Sequence, residues 1–259
     1  FLNELLPGWL LLPTVIFTGA IAGALWAGIP AVLKAFLGVD ETLTTLMLNY
    51  VAILFSQYLY YGPWRDPEGY GFPGTAIFPA TAWLPRLFGR AHFGLIFAIM
   101  IAFILWFTFL RTRWGFEIKI IGENQTAARY LGIKIAKNIV LALLISGGIC
   151  GLAGAAEVAG LSRRLQTGLA LGYGYSAIIV AWMAQLRPIP ILFVAILLGA
   201  LIVGGAQVQI VMNLPSSIGL VLQGLLLIPM LAGSLFTEYR LRIIRSEKYR
   251  SQVDTEVSR

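Results

Sequence analysis

Apolar residues along this chain fall into blocks of about 20, and nearly all the charged residues lie between the blocks. Twenty residues at about 1.5 Å each cover about 30 Å, the hydrocarbon thickness of a bilayer, so each block predicts a transmembrane helix. Seven spans can be drawn, at residues 9–36, 42–61, 93–110, 138–161, 173–186, 191–211 and 217–236. The expected fold class is therefore all-α, a polytopic transmembrane helical bundle occupying residues 1–236.

The segments between the blocks set an expected orientation. Arg111, Arg113, Lys119, Arg129, Lys134 and Lys137 outnumber Glu117 and Glu123 in 111–137, and a basic tail at 237–259 holds Arg240, Arg242, Arg245, Lys248 and Arg250. Basic connecting segments stay on the cytoplasmic side, so both are expected there. Counting crossings puts residues 62–92 and Phe1 outside, with Arg163 and Arg164 as a local exception on the outer face. The outer segment carries Pro63, Pro67, Pro73, Pro79 and Pro85, which exclude a long helix. Its aromatics, including Trp64, Tyr70, Phe72, Phe78 and Trp83, suit a folded loop at the interface. The run at 173–186 is short for a span and follows GLALGYGYS, which predicts a broken or re-entrant helix. Gly19xxxGly23 and Gly147xxxGly151 have the spacing that lets two helix backbones approach closely.

Composition agrees with this picture, at 58% hydrophobic and only 12% charged residues, against about 25% charged in an average soluble domain. The net charge of +7 reads as an orientation signal rather than a nucleic-acid footprint, because the basic residues cluster between spans. The first apolar block has neither a basic leader nor a small-residue cleavage site, so it reads as part of a longer chain rather than a signal peptide. A single cysteine, Cys150, excludes a disulfide framework, and a single histidine, His92, excludes a histidine triad or multi-histidine metal site. No GxxxxGK[ST] phosphate loop occurs, so the chain does not hydrolyse ATP by that route. Nothing in the sequence calls for a metal or cofactor.

Inside the spans remain Asn49, Gln57, Glu157, Gln185, Gln207, Gln209 and Gln223. Polar side chains in hydrocarbon face the protein interior or a water-filled path. Amides both donate and accept hydrogen bonds, as a neutral hydroxylated solute requires, and they also serve as inter-helix glue. Glu157 is the one acid well inside a predicted span, either a functional group or the partner of Arg163 or Arg164.

In the basic segment, GENQTAARYLGIKIAKN predicts a short helix capped by Asn124 and stopped by Gly132. Ala127 and Ala128 permit close approach, and Tyr130 with Leu131 offers an apolar knob for another protein. At GENQTAARYLGI (122–133), GGICGLAGAAEVAG (147–160) and GYGYSAIIVAWMAQLRPIP (172–190) the chain resembles the permease subunits of ABC importers of the branched-chain amino acid, ribose and nucleoside type. ETLTTLMLNYVA (41–52) and YGPWRDPEGYGFPGTAIFPATAWLPRL (61–87) look closer to the simple-sugar and nucleoside branch.

That resemblance implies a non-catalytic subunit of the cell membrane that encloses a pathway with a second permease, identical or paralogous. It implies a partner ABC ATPase beneath the subunit and an extracytoplasmic solute-binding lipoprotein. Residues 122–133 would be the coupling helix, with Gly122 and Gly132 at its ends and Glu123, Asn124, Ala127, Ala128 and Tyr130 facing the ATPase. Asn49, within MLNY, would be the first solute contact, with Tyr50, Glu157, Trp182, Gln207 and Gln223 as further candidates. The N-terminal helices usual in the family are missing, in accord with the outside start. Trp182 and Gln185 stand where smaller or aliphatic residues are usual, which leaves nucleoside and simple sugar both open. A secondary transporter would need intramembrane charge and internal repeats, and an intramembrane enzyme a nucleophile with a base at membrane depth; neither pattern stands out.

Overall fold

The computed structural model describes residues 7–69, 72–89, 91–169, 172–212, 221 and 224–225. Its helices are α1 (Gly8–Leu37), α2 (Glu41–Tyr61), α3 (Gly94–Arg111), α4 (Arg113–Glu123), α5 (Gln125–Tyr130), α6 (Ile135–Glu157), α7 (Tyr173–Met183) and α8 (Pro188–Met212). A two-residue-wide hairpin pairs β1 (Arg86–Phe88) with β2 (Ala91–His92), antiparallel, with Arg86 opposite His92. The chain divides into two compact units, Phe1–Ser176 with Arg187–Leu192, and Ala177–Leu186 with the chain from Phe193 onward.

Among the described residues five helices are long and apolar enough to cross a membrane: Gly8–Leu37, Glu41–Tyr61, Gly94–Arg111, Ile135–Ser162 and Pro188–Gly205. They match five of the seven expected spans. The expected span at 173–186 is instead the 11-residue α7, about 16 Å long and too short to cross. It stops because Gln185 (φ 52°) and Leu186 (φ 57°) turn left-handed, so Gln185 lies in a turn and not in a span. The expected span at 217–236 and the tail at 237–259 lie outside the described residues, apart from helical positions at 221, 224 and 225.

In the first unit, α1 and α6 run antiparallel with their backbones in contact. A Cβ at Gly23 would lie 2.8 Å from the Gly151 Cα, and one at Gly19 2.8 Å from the Ala155 Cβ. Gly147 and Gly151 face the Gly23 and Gly19 carbonyls even more closely, and Gly28 meets Leu144 further along. The stripe works because glycine removes the side chain that would hold the axes apart.

Local chemistry sets the other junctions. Gly38 (φ 67°) ends α1, and Asp40 caps α2 by accepting the Leu43 N–H at 3.0 Å. That bond holds the Asp40 carboxyl below its ordinary value. Lys34 and Glu41 pair across the turn. Hydroxyls within the spans turn back on their own helix: Thr14 donates to the Leu10 carbonyl and Thr45 to the Glu41 carbonyl.

The segment 62–92 is folded and fastened to the far end of α6. The Leu84 N–H donates to the Ala159 carbonyl at 3.0 Å, Phe78 to Arg163 at 2.8 Å, and Thr75 to Leu165 at 2.9 Å. Ala82, Leu84, Thr75 and Ala159 are buried beneath this cap. The α6 end it grips is a widened π turn, Val158–Ser162, closed by the Arg163 N–H donating to the Val158 carbonyl at 2.7 Å.

Gly151→Ala is expected to lower thermal stability in detergent by about 1–3 kcal/mol, because the new methyl meets facing backbone. Gly154→Ala, where a Cβ meets nothing within 4 Å, is expected to leave stability unchanged. Equal melting temperatures for the two would refute a packing role for the stripe.

Candidate functional site

The first candidate region is the connection from α3 to α6. The expected loop at 111–137 contains an additional helix, α4, that the charge pattern concealed. Thr112 starts it: its hydroxyl accepts the Gly115 N–H at 3.1 Å and donates to the Thr108 carbonyl at 2.7 Å. Gly115 is packed so tightly against Thr108 and Phe109 that a Cβ would collide with the α3 backbone. The fold thus reverses sharply out of the span.

A buried amide fixes α4 to α6. Asn138, 5% exposed, accepts the Trp114 indole N–H at 3.0 Å and donates from Nδ2 to Glu117 at 2.9 Å. Both partners lie on α4, so one side chain of α6 holds two successive turns of it. The fit satisfies a polar group that would otherwise be costly to bury.

From that base α5 projects. The Asn124 side chain accepts the Thr126 and Ala127 N–H groups at 2.9 and 3.1 Å, an N-cap. At the other end Gly132 (φ 71°) donates to the Arg129 carbonyl and Ile133 to the Ala128 carbonyl, both at 3.0 Å. This is a Schellman closure that needs the left-handed residue supplied here by glycine. The expected caps are the observed ones.

Not every residue expected to face a partner does so. Ala128 is completely buried within the chain and forms part of the seat of α5 on its neighbours; its small size admits the close approach inward. Ala127 is half-buried, Gly122, Glu123 and Asn124 are exposed, and Tyr130 is 89% exposed with Leu131 beside it. The outward feature of the helix is therefore the Tyr130–Leu131 tip.

The second candidate region is α2. Asn49 and Tyr50 are exposed on this span, and the Asn49 side chain makes no hydrogen bond among the described residues. Thr42, Thr45, Asn49 and Ser56, at offsets of 3, 7 and 14 residues, form an exposed polar row down one face of the helix. Of these four only Asn49 is a candidate from the sequence, with Tyr50 and Gln57 elsewhere on the span; the repeat of hydroxyl and amide side chains at near-heptad spacing was the available signal for the rest. A row of polar groups on a span faces water or protein rather than lipid.

Glu157, Trp182 and Gln207 lie on three different helices. Glu157 is half-buried at the last turn of α6, and none of the ion pairs among the described residues includes it. Arg163 lies with its guanidinium 3.8 Å over the Trp83 ring, and Arg164 donates to the Gln166 side chain, so the expected pairing with Glu157 is replaced by these contacts. Trp182 is exposed on α7 and Gln207 on α8; Gln223 lies outside the described residues. Among the described residues no three His, Cys, Asp or Glu side chains gather as a metal site would require.

Five apolar spans, one of them with a polar face, make this a polytopic helical membrane protein. The chain belongs to the family of branched-chain amino acid transport system permease components, whose profile matches residues 1–231, the non-catalytic membrane part of ABC transporters. It is 32% identical over 253 residues to the glucose ABC transporter permease protein TsgB13 of Haloferax volcanii, covering 93% of this chain and 66% of that one. It is 34% identical over 218 residues to the guanosine ABC transporter permease protein NupP of Bacillus subtilis, covering 82% and 62%. The nucleoside ABC transporter permease protein NupB of Lactococcus lactis is 31% identical over 210 residues, covering 77% and 57%. The chain thus spans between 57% and 66% of the length of these relatives. No solved structure matches.

Asn138→Leu removes both hydrogen bonds to α4 and strands the Trp114 N–H and Glu117 at a cost of about 1–3 kcal/mol. Amide hydrogen exchange across Arg113–Glu123 is expected to accelerate about tenfold or more, with exchange in α1 unchanged. Unaltered exchange in α4 would show that the amide does not hold it.

Proposed function

We propose that this chain is the membrane subunit of an ATP-driven importer and forms part of the pathway for a nucleoside. The observation that carries the reading is the polar row on α2. Amide and hydroxyl groups at successive depths can exchange hydrogen bonds with ribose hydroxyls and a base edge without fixed charge. The similarity to guanosine and nucleoside permeases supports that solute class.

A second reading, a simple sugar, is favoured by the similarity to a glucose permease over 93% of this chain. The same hydrogen-bonding row serves a sugar, so the choice turns on what stacks against a base. Tyr50, beside Asn49, is the aromatic side chain for that role.

The work is done elsewhere. An ATPase subunit docks on α5 through the Tyr130–Leu131 tip, a second permease, identical or paralogous, completes the pathway, and an extracytoplasmic binding lipoprotein delivers solute. The tight α3–α4 turn and the Asn138 contact pass movement of α5 to α6, whose opposite end carries the folded segment 62–92. ATP-driven closure of the ATPases thereby alternates access from the two sides.

In proteoliposomes holding the complete transporter, labelled nucleoside uptake is expected to require the ATPase, with ribose, glucose and a branched-chain amino acid as competitors. Uptake of glucose alone would select the second reading, and uptake without the ATPase would overturn the ATP-driven mechanism. Asn49→Leu is expected to reduce solute-stimulated uptake about tenfold or more, with ATPase assembly intact. Tyr130→Ala is expected to weaken co-purification of the ATPase while the spans stay folded; unchanged co-purification would count against α5 as the docking element.

A further inference from the structure

A groove of about 620 Å³ opens where α1 ends and α6 begins, walled by Val32 and Phe36 on one side and Val140 and Leu141 on the other. Its rim carries Lys134 and Lys137. Both lysines are exposed, and neither takes part in an ion pair among the described residues. The acids on nearby elements are engaged: Glu41 with Lys34, and Glu117 with Asn138 and Arg113. No side chain caps the first turn of α6 from which Lys134 and Lys137 project.

We propose that this groove holds an anionic phospholipid, with its phosphate between Lys134 and Lys137 and the upper part of one acyl chain along Phe36, Val140 and Leu141. The geometry matches an amphiphile rather than a free ion. From Lys134 to Leu141 the wall descends seven residues, about 10 Å along the helix axis. The positive rim lies at one end of that descent, and the apolar wall continues toward the span interior. A neutral lipid would leave the two ammonium groups without a counter-charge; an anionic headgroup supplies it at headgroup depth. A protein segment is the competing occupant, but it would have to bring an acid to the rim and an apolar face to the wall in the same register.

The bound lipid would brace the α6 start at the position where Asn138 receives α4. The proposal needs only that the chain spans the membrane, so it stands or falls separately from the choice of solute.

The test uses the complete transporter in nanodiscs containing phosphatidylglycerol and phosphatidylcholine. Benzoylphenylalanine in place of Phe36 is expected to crosslink on illumination to phosphatidylglycerol in preference to phosphatidylcholine. Lys134→Gln and Lys137→Gln are each expected to reduce retained phosphatidylglycerol about fivefold by native mass spectrometry. If either lysine variant does not assemble, Val140→Trp, which fills the groove without altering charge, is expected to abolish the lipid crosslink. Crosslinking of position 36 to a second permease or another polypeptide would overturn the proposal. So would retention unchanged by the lysine variants, or a crosslink that persists with Val140→Trp.

Discussion

Two helices in this chain touch through their backbones, and most of the first unit is arranged around that contact. Inside a bilayer lipid tails solvate leucine as well as another helix does, so apolar area alone does not bring spans together. What does is the close fit available when side chains are absent. Gly19 and Gly23 on α1 meet Gly147 and Gly151 on α6 at a separation that leaves no room for a methyl group. The Lys34–Glu41 turn follows the end of α1, and the 62–92 cap and the α3–α5 connection are each fastened to α6.

The pattern of the sequence revealed some of this and hid the rest for identifiable reasons. The five spans were legible because hydrocarbon thickness imposes a length, and the ends of α5 because Asn124 and Gly132 are suited to capping. The glycine stripe was legible as a spacing, though not which helices it would join. Helix α4 was concealed because Arg113, Glu117, Lys119 and Glu123 look like a solvated linker. Only the alternation of Trp114 and Ile121 with those charges, at helical spacing, marks a buried side. Ala128 looked like a surface for a partner, yet small residues permit close approach in either direction, and here the approach is inward. Sequence proximity suggested that Glu157 would find Arg163, but the π turn displaces the backbone and delivers that guanidinium to Trp83.

The polar row on α2 belongs to a different category. Thr42, Thr45, Asn49 and Ser56 sit among bulky apolar residues, and only winding the chain into a helix aligns them. Their alignment is a property of geometry, so a count of polar residues per span overlooks it. Glu157, the one acid inside a predicted span, and Trp182 and Gln207, candidates by polarity and position, occupy separate elements.

The attachment of the 62–92 cap has a consequence for how freely its sequence can drift. The bonds from the Leu84, Phe78 and Thr75 N–H groups to the α6 end run between main-chain atoms, and the side chains that add to the join are Thr75, whose hydroxyl accepts the Leu165 N–H, and Trp83 beneath Arg163. Exposed positions such as Trp64, Phe72 and Ile77 can therefore be exchanged without loosening the join. A surface anchored mainly through its backbone is free to change at such positions while the join beneath it, with Thr75 and Trp83, stays the same.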